Sequence, residues 1–212
     1  MTNLPTELYE SIFKMLSSIE LLNMLKVNKH FRQEVSKEIG DRFRNSIKGF
    51  FGDVKGFHNL LGDECLISGA LLLNFIQGKQ ITNKIELYIT EKTLSVIIEF
   101  LKKEKCLPLK STDKMFGYQD HFNELDIKCY FKKIDNSFLK IFLIISSNPE
   151  KIIAKNKFDL AKSYYNGTHW YITKALITNT ATRICDCGRG IHHNREGIMN
   201  LGTINYKTKT VC

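Results

Sequence analysis

Nowhere in this chain does a run of apolar residues approach the eighteen or so that a membrane-spanning helix requires, so no transmembrane segment is expected. The first residues bring Glu7 and Glu10 early and no basic-then-apolar run, so no secretory signal peptide is expected either. The six cysteines (Cys65, Cys106, Cys129, Cys185, Cys187, Cys212) are scattered rather than laid out as a disulfide framework, and read as reduced thiols of a cytoplasmic or nuclear protein. The chain lacks a low-complexity linker, an internal repeat, an arginine-rich helix and an RNA-binding motif. What it does not lack is positive charge, with a net +9 that is unevenly placed. Residues 1–40 hold five basic and five acidic residues, so the excess belongs to the remainder. There the lysines come as pairs and singles among acids, which reads as a solvated surface rather than a nucleic-acid stripe.

The first forty residues, MTNLPTELYESIFKMLSSIELLNMLKVNKHFRQEVSKEIG, predict three short amphipathic helices. Pro5 sits where a helix begins, since the first-turn N–H has no partner to lose. Glu7 follows where a negative charge suits the helix dipole. Leu4, Leu8, Ile12 and Leu16 form one stripe at four-residue spacing. Ser17-Ser18 stops that helix and can cap the next, which carries Leu21, Leu22 and Leu25. Asn28 offers a third cap before Phe31, Val35 and Ile39. A segment of about forty residues without disulfide or metal is at the lower limit of independent folding, so its apolar surface must lie against something else.

The ordered set Leu4-Pro5-x-Glu7-Leu8, Ile12, Leu16, Leu21-Leu22, Val27 and Phe31 resembles an F-box, the small helical module that binds the Skp adaptor of cullin-based ubiquitin ligases. The resemblance implies a substrate-receptor subunit. It would hold a target protein while Leu4, Pro5, Leu8, Ile12, Leu16, Leu21, Leu22, Val27 and Phe31 engage the Skp-type adaptor and, through it, a cullin. Such a subunit needs no cofactor and acts by proximity.

Residues 41–62 read as a connector broken by Gly49, Gly52, Gly56 and Gly62, with Phe43, Ile47, Phe50 and Phe51 on a short helix that glues the module to the body. From 63 to 212 the pattern is that of a second unit. A strand is expected at 65–68, a helix from Gly69 to Gly78, a strand at 84–90 and a helix over 91–105. A turn-rich region precedes a hairpin whose second strand is 138–146, turning near Asp135-Asn136. Two more strands are expected within 158–173, joined at Asn166-Gly167. The fold class is α+β with a mixed sheet.

The run LISGALLLNFIQGKQITNKIELYIT, with Phe158-Asp159-Leu160, Asn166-Gly167, Arg183-Ile184 and Arg189-Gly190-Ile191, is similar to nucleotidyltransferase-fold domains of fungi and large DNA viruses. In that family a strand ends in Gly-Ser, and the next strand carries Asp-x-Asp for paired magnesium ions. Here the i, i+2 pair on one strand face is Lys84 and Glu86, and Gly69 is followed by Ala70. An ammonium repels a divalent cation and offers no lone pair. Glu86 and Asp159 remain, and the expectation is a catalytically dead body that presents a target protein. The alternative is a nucleotide binder, with Lys84 on a phosphate, or a weakly active nucleotidyltransferase behind an N-terminal helical bundle. Asp63, Glu64, Asp113, Asp120 or Asp126 would then have to rebuild the metal site.

Cys185-x-Cys187 with His192-His193 is the one cluster with zinc-ligand chemistry, but its spacing is not the usual Cys-x₂₋₄-Cys, so no metal is assigned. A cysteine–histidine nucleophile pair using His121 or His169 has no identifiable activating partner. Tyr164, Tyr165, Trp170 and Tyr171 are read as cross-strand packing rather than a stacking platform for bases.

Overall fold

The computed structural model describes residues 6–24, 29–109, 125–156, 159–173 and 176, without the side chains of 6, 7, 29–31, 159 and 160. The N-terminal helices form as the sequence predicts. Helix α1 spans Thr6–Met15 and α2 spans Ser18–Met24. The joint between them is a capping box: Glu20 N donates to Ser17 Oγ at 3.3 Å, and Ser17 N donates to Glu20 Oε2 at 2.7 Å. That backbone bond, then the bond from the Ser17 side chain, lowers the Glu20 carboxyl below its ordinary value.

Helix α3 (Lys29–Ser46) runs past the expected end of the module at residue 40 and into the connector. The reason is an apolar stripe of period four that does not stop there: Val35, Ile39, Phe43 and Ile47 are all buried. Gly40 does not break the helix. The Tyr165 hydroxyl lies 3.4 Å from where a Cβ would stand, an ordinary van der Waals separation. The expected gluing role of Phe43, Ile47, Phe50 and Phe51 holds, for all four are buried. A helix not foreseen in the connector, α4 (Val54–Leu60), starts from Asp53, whose Oδ1 accepts from Gly56 N at 2.7 Å.

The body follows as β1 (Cys65–Ser68), α5 (Ala70–Ile76), β2 (Lys84–Ile89), α6 (Glu91–Lys103), β3 (Leu107–Leu109), β4 (Asp126–Ile134), β5 (Ser137–Ile145) and α7 (Pro149–Ala154). A short 3-10 helix (Asp159–Lys162) leads to the two-residue strands β6 (Tyr164–Tyr165) and β7 (Trp170–Tyr171). The expected strand around Phe158-Asp159-Leu160 is therefore corrected where it is described: from Asp159 the chain coils before it pairs. The seven strands make one mixed sheet, β3-β4-β5-β2-β1-β6-β7, parallel between β2 and β5 and antiparallel at every other junction. Seven α-helices are present among the described residues, so the class is α+β.

The sheet faces are unequal. Ile85, Leu87 and Ile89 of β2, with Ile141, Leu143 and Ile145 of β5, share one continuous core with Phe13, Leu21, Leu22, Val35, Ile39 and Phe43 of the first three helices. The opposite face carries Lys84, Glu86 and Tyr88 by strand alternation. Ile153 of α7 packs there on Leu66, Tyr88 and Ile144.

Candidate functional site: a docking helix and a closed carboxylate corner

Helix α1 turns Phe13 into the core, leaving 2% of it exposed, while Tyr9 and Leu16 pack partly buried against it. Its other side is bare: Leu8 is 49%, Ile12 43% and Met15 86% exposed, at i, i+4 and i+7. Three large apolar side chains in line on one helix face form a surface that gains by being covered. Two of the expected docking residues, Leu8 and Ile12, stand on it. Leu21 and Leu22 do not, for they are sealed inside, at 0% and 3% exposure, where they anchor α2 to the body. Both therefore pack in the chain's own core rather than on its surface. Leu4, Pro5 and Val27, and the side chain of Phe31, lie outside the described residues.

Two contributors escaped the sequence reading. Met15 completes the exposed stripe, and its seven-residue offset from Leu8 was a readable signal. Arg42 was not readable: from α3 it donates Nη1 to Leu16 O at 2.6 Å and Nη2 to Phe13 O at 2.5 Å, with Nε on Glu38 at 2.7 Å. A guanidinium at this end of α1 gives Leu16 O a partner, adds a second donor to Phe13 O, which already accepts from Leu16 N at 3.0 Å, and sets against the negative end of the helix dipole. The bare stripe is thereby held in one orientation on the body.

The second candidate centre is the corner where β1 gives way to α5. Gly69 adopts φ +81°, and a Cβ there would stand 2.3 Å from Glu86 Oε2. The glycine is required both by its dihedral angle and by the carboxylate packed on its backbone. Lys84 Nζ lies 2.8 Å from Glu86 Oε1 and 5.1 Å from the Phe142 ring centroid. The structure thus brings Gly69, Lys84 and Glu86 together, with Ala70 opening α5 beside them. The side chain of Asp159 lies outside the described residues, although its segment runs along α5 and α7. Glu86 is 5% exposed, and its carboxylate is engaged by the Lys84 ammonium. Burial first, then the Glu86 charge, pushes the Tyr88 hydroxyl far above its ordinary value, so it remains protonated.

Three of the acids expected as possible metal-site replacements have partners of their own. Asp63 accepts from Asn166 Nδ2 at 3.0 Å, Glu64 pairs with Lys92 at 3.3 Å, and Asp126 pairs with Lys128 at 3.7 Å. Asp126, opposite Ile145, lies on the other sheet face from Glu86, opposite Phe142. Asp113 and Asp120 lie outside the described residues, as do Cys185, Cys187, His192, His193 and His121. Among the described residues no group of three metal-ligating side chains assembles. Cys65, Cys106 and Cys129 are free thiols in the interior, and burial pushes Cys65 up to about 12 and Cys106 to about 11, far from a nucleophile's range. The aromatic hairpin packs as expected. Tyr165 stacks on Trp170 at 4.0 Å and Tyr164 on Tyr171 at 4.3 Å, while Asn166 Oδ1 accepts from Thr168 N and His169 N in the turn.

The α+β body thus carries a helical unit with one face sunk in the shared core and the Leu8–Ile12–Met15 face of α1 bare. Residues 1–41 match the family model of the F-box domain. No curated protein matches the chain. No helix among the described residues is long and apolar enough to cross a membrane.

Proposed function

We propose that the protein is a substrate-receptor subunit of a Skp–cullin–F-box ubiquitin ligase. The match of residues 1–41 to the F-box domain carries the reading. The bare stripe of Leu8, Ile12 and Met15 gives it a physical surface. In this role α1 docks on a Skp-type adaptor, the adaptor links to a cullin, and the body holds a target protein for ubiquitin transfer by other subunits. The gain is one of effective concentration, so the receptor itself performs no bond chemistry.

The body in this reading is a nucleotidyltransferase-like scaffold without the reaction. Support comes from the Lys84–Glu86 pair at 2.8 Å, which places a fixed positive charge where two-metal catalysis needs carboxylates.

The test is co-purification of the full chain with recombinant Skp adaptor, beside a Leu8→Glu/Ile12→Glu variant. Truncation near residue 41 is unsuited as a control because it cuts α3 and opens the core. A stable complex lost in the variant supports docking through α1. An adaptor that ignores the folded wild-type chain would sink the proposal.

A further inference from the structure

One face of the sheet packs under the N-terminal helices, and on the opposite face α7 covers Leu66, Tyr88 and Ile144. Toward β3 that opposite face is bare among the described residues. Leu107 and Phe138 are 57% and 55% exposed, and neither they nor Phe131 join either apolar cluster.

Strand pairing sets the bare side chains in rows. Leu107 of β3 stands opposite Phe131 of β4, Phe131 opposite Lys140 of β5, and Lys140 beside Lys84 of β2. In the next row, toward the hairpin turn, Lys133 stands opposite Phe138. On β4 and β5 rings and ammonium groups therefore alternate both along and across the strands. The Phe131 and Phe138 rings meet on one diagonal, edge to face, with centroids 6.2 Å apart. Lys133 and Lys140, both exposed, hold the other. Glu86 is the one carboxylate that β2, β4 and β5 place on this face, and Lys84 Nζ lies 2.8 Å from it. Three ammonium groups against one carboxylate leave the face positive. In one dimension these lysines are scattered among acids; the pairing of three strands gathers them.

We infer that this sheet face binds single-stranded nucleic acid. The inference stands apart from the substrate-receptor reading. An exposed ring offers a flat surface on which any base stacks, and lysines around it meet the backbone phosphates. A duplex fits less well, because its bases are already stacked on one another and cannot reach Phe138. A free nucleotide also fits less well. Lys133 and Lys84 lie two strands apart, about 10 Å across the sheet, so a chain of phosphates matches their spread better than one phosphate group. An acidic peptide would satisfy the lysines but has no general use for a bare aromatic ring. RNA and DNA share the chemistry this face recognises.

The test is fluorescence anisotropy of the full chain with labelled oligo(U) and oligo(dT) of about fifteen nucleotides, beside a duplex of the same length. Single strands of one or both kinds should bind about tenfold tighter than the duplex. Two lysine–phosphate contacts correspond to about a sevenfold loss of affinity between about 50 and 200 mM salt. Lys133→Glu with Lys140→Glu should weaken binding by about tenfold or more. Phe138→Leu keeps charge and apolar bulk but removes the ring, and should weaken binding by about fivefold or more with the salt dependence unchanged. Both variants should keep the wild-type melting temperature and adaptor co-purification. Equal affinity for duplex and single strand would overturn the inference, as would wild-type affinity in Phe138→Leu. So would an equal loss in Lys48→Glu with Lys55→Glu, exposed lysines beside α3 and on α4, since that marks diffuse attraction by net charge. Competition by polyglutamate at concentrations matching the oligonucleotide would assign the face to an acidic protein instead. Adaptor capture without oligonucleotide binding would overturn this inference alone, and the reverse would overturn the receptor reading alone.

Discussion

Arg42 ties α1 to the body through two backbone carbonyls, Phe13 O and Leu16 O, and an i, i+4 pair with Glu38. Charge-assisted bonds of this kind contribute about 1.5–3 kcal/mol each when partly buried, and their loss leaves acceptors exposed to solvent rather than stranded. Arg42→Met should therefore lower unfolding free energy in urea by about 1–3 kcal/mol and weaken adaptor binding more than stability alone explains, since α1 would lose its fixed orientation. Arg42→Lys should not restore both bonds, because one ammonium cannot reproduce the fork. Glu104 is the other residue on which a junction depends. Its carboxylate accepts from Gly52 N at 2.8 Å, Asp53 N at 2.9 Å and Lys132 Nζ at 2.8 Å, joining the connector to α6 and β4. Burial alone would raise its pKa, but the Lys132 bond and the two backbone N–H groups outweigh that and depress it below 4.5. A depressed carboxyl stabilises the fold at pH values above its unfolded pKa. That contribution is lost as pH falls through the folded value. Wild-type stability, followed by urea titration from pH 7 to pH 3, should drop below about pH 4.5. Glu104→Gln should already be weaker at pH 7, by about 1–3 kcal/mol, and show a shallower acid slope. An unchanged slope would show that Glu104 is not the titrating group.

At the scale of elements, α1 and α2 divide the labour that the sequence assigned to a single docking face. Leucines at Leu8, Leu21 and Leu22 look alike in a one-dimensional pattern, because periodicity marks an apolar stripe without saying whether the chain's own body or a partner covers it. The structure separates them, and so does a pair of measurements. Leu8→Glu with Ile12→Glu should change unfolding free energy by no more than about 0.5 kcal/mol while abolishing adaptor capture. Leu21→Ala should cost about 2–5 kcal/mol, and any loss of capture should follow the fraction unfolded. The body was legible where strands and helices alternate with strong period and clear breaks. The 65–68 strand, the Gly69–Gly78 helix, the 84–90 strand, the 91–105 helix and the turn at Asp135, with φ 46°, stand where the residues put them. Short elements were not. Helix α7 has six residues, too few to show a period, although Asn148 Oδ1 capping Lys151 N at 2.9 Å and Pro149 in the first turn were signals of a start. Strand β3 has three residues with Pro108 in the middle, a residue that demotes a strand reading and is tolerated here because β3 lies at the sheet edge. The corner at Gly69 was half-legible. Lys84 beside Glu86 followed from alternation, but the packing of a carboxylate on the Gly69 backbone is a tertiary fact. Gly69→Ala combines an unfavourable φ with a collision at Glu86, and should lower the melting temperature by several degrees in a calorimetric scan.

At the scale of the whole molecule the central fact is that the F-box-matching segment is not a bead on a string. Phe43 of α3 meets the rings of Phe75 at 5.1 Å, Tyr165 at 5.6 Å and Trp170 at 5.7 Å, joining the third helix to α5 and to the last hairpin. The core is continuous from Phe13 to Leu176. A forty-residue helical unit that buries its apolar faces against a sheet loses most of its stability when that sheet is lost, so the two parts should unfold together. Trp170 is the chain's single tryptophan and sits at this junction, which makes its fluorescence a local reporter, while far-ultraviolet circular dichroism near 222 nm is dominated by the helices. In urea the two signals should trace superimposable transitions with one midpoint. Phe43→Ala should move both midpoints together, by an amount equivalent to about 3–5 kcal/mol. Two separated midpoints, with helical signal lost before Trp170 changes environment, would mean that the docking helices melt independently of the sheet. In that case adaptor binding would have to supply the order that the shared core supplies here, and the α1 stripe would hold its fixed place on the body only in the complex.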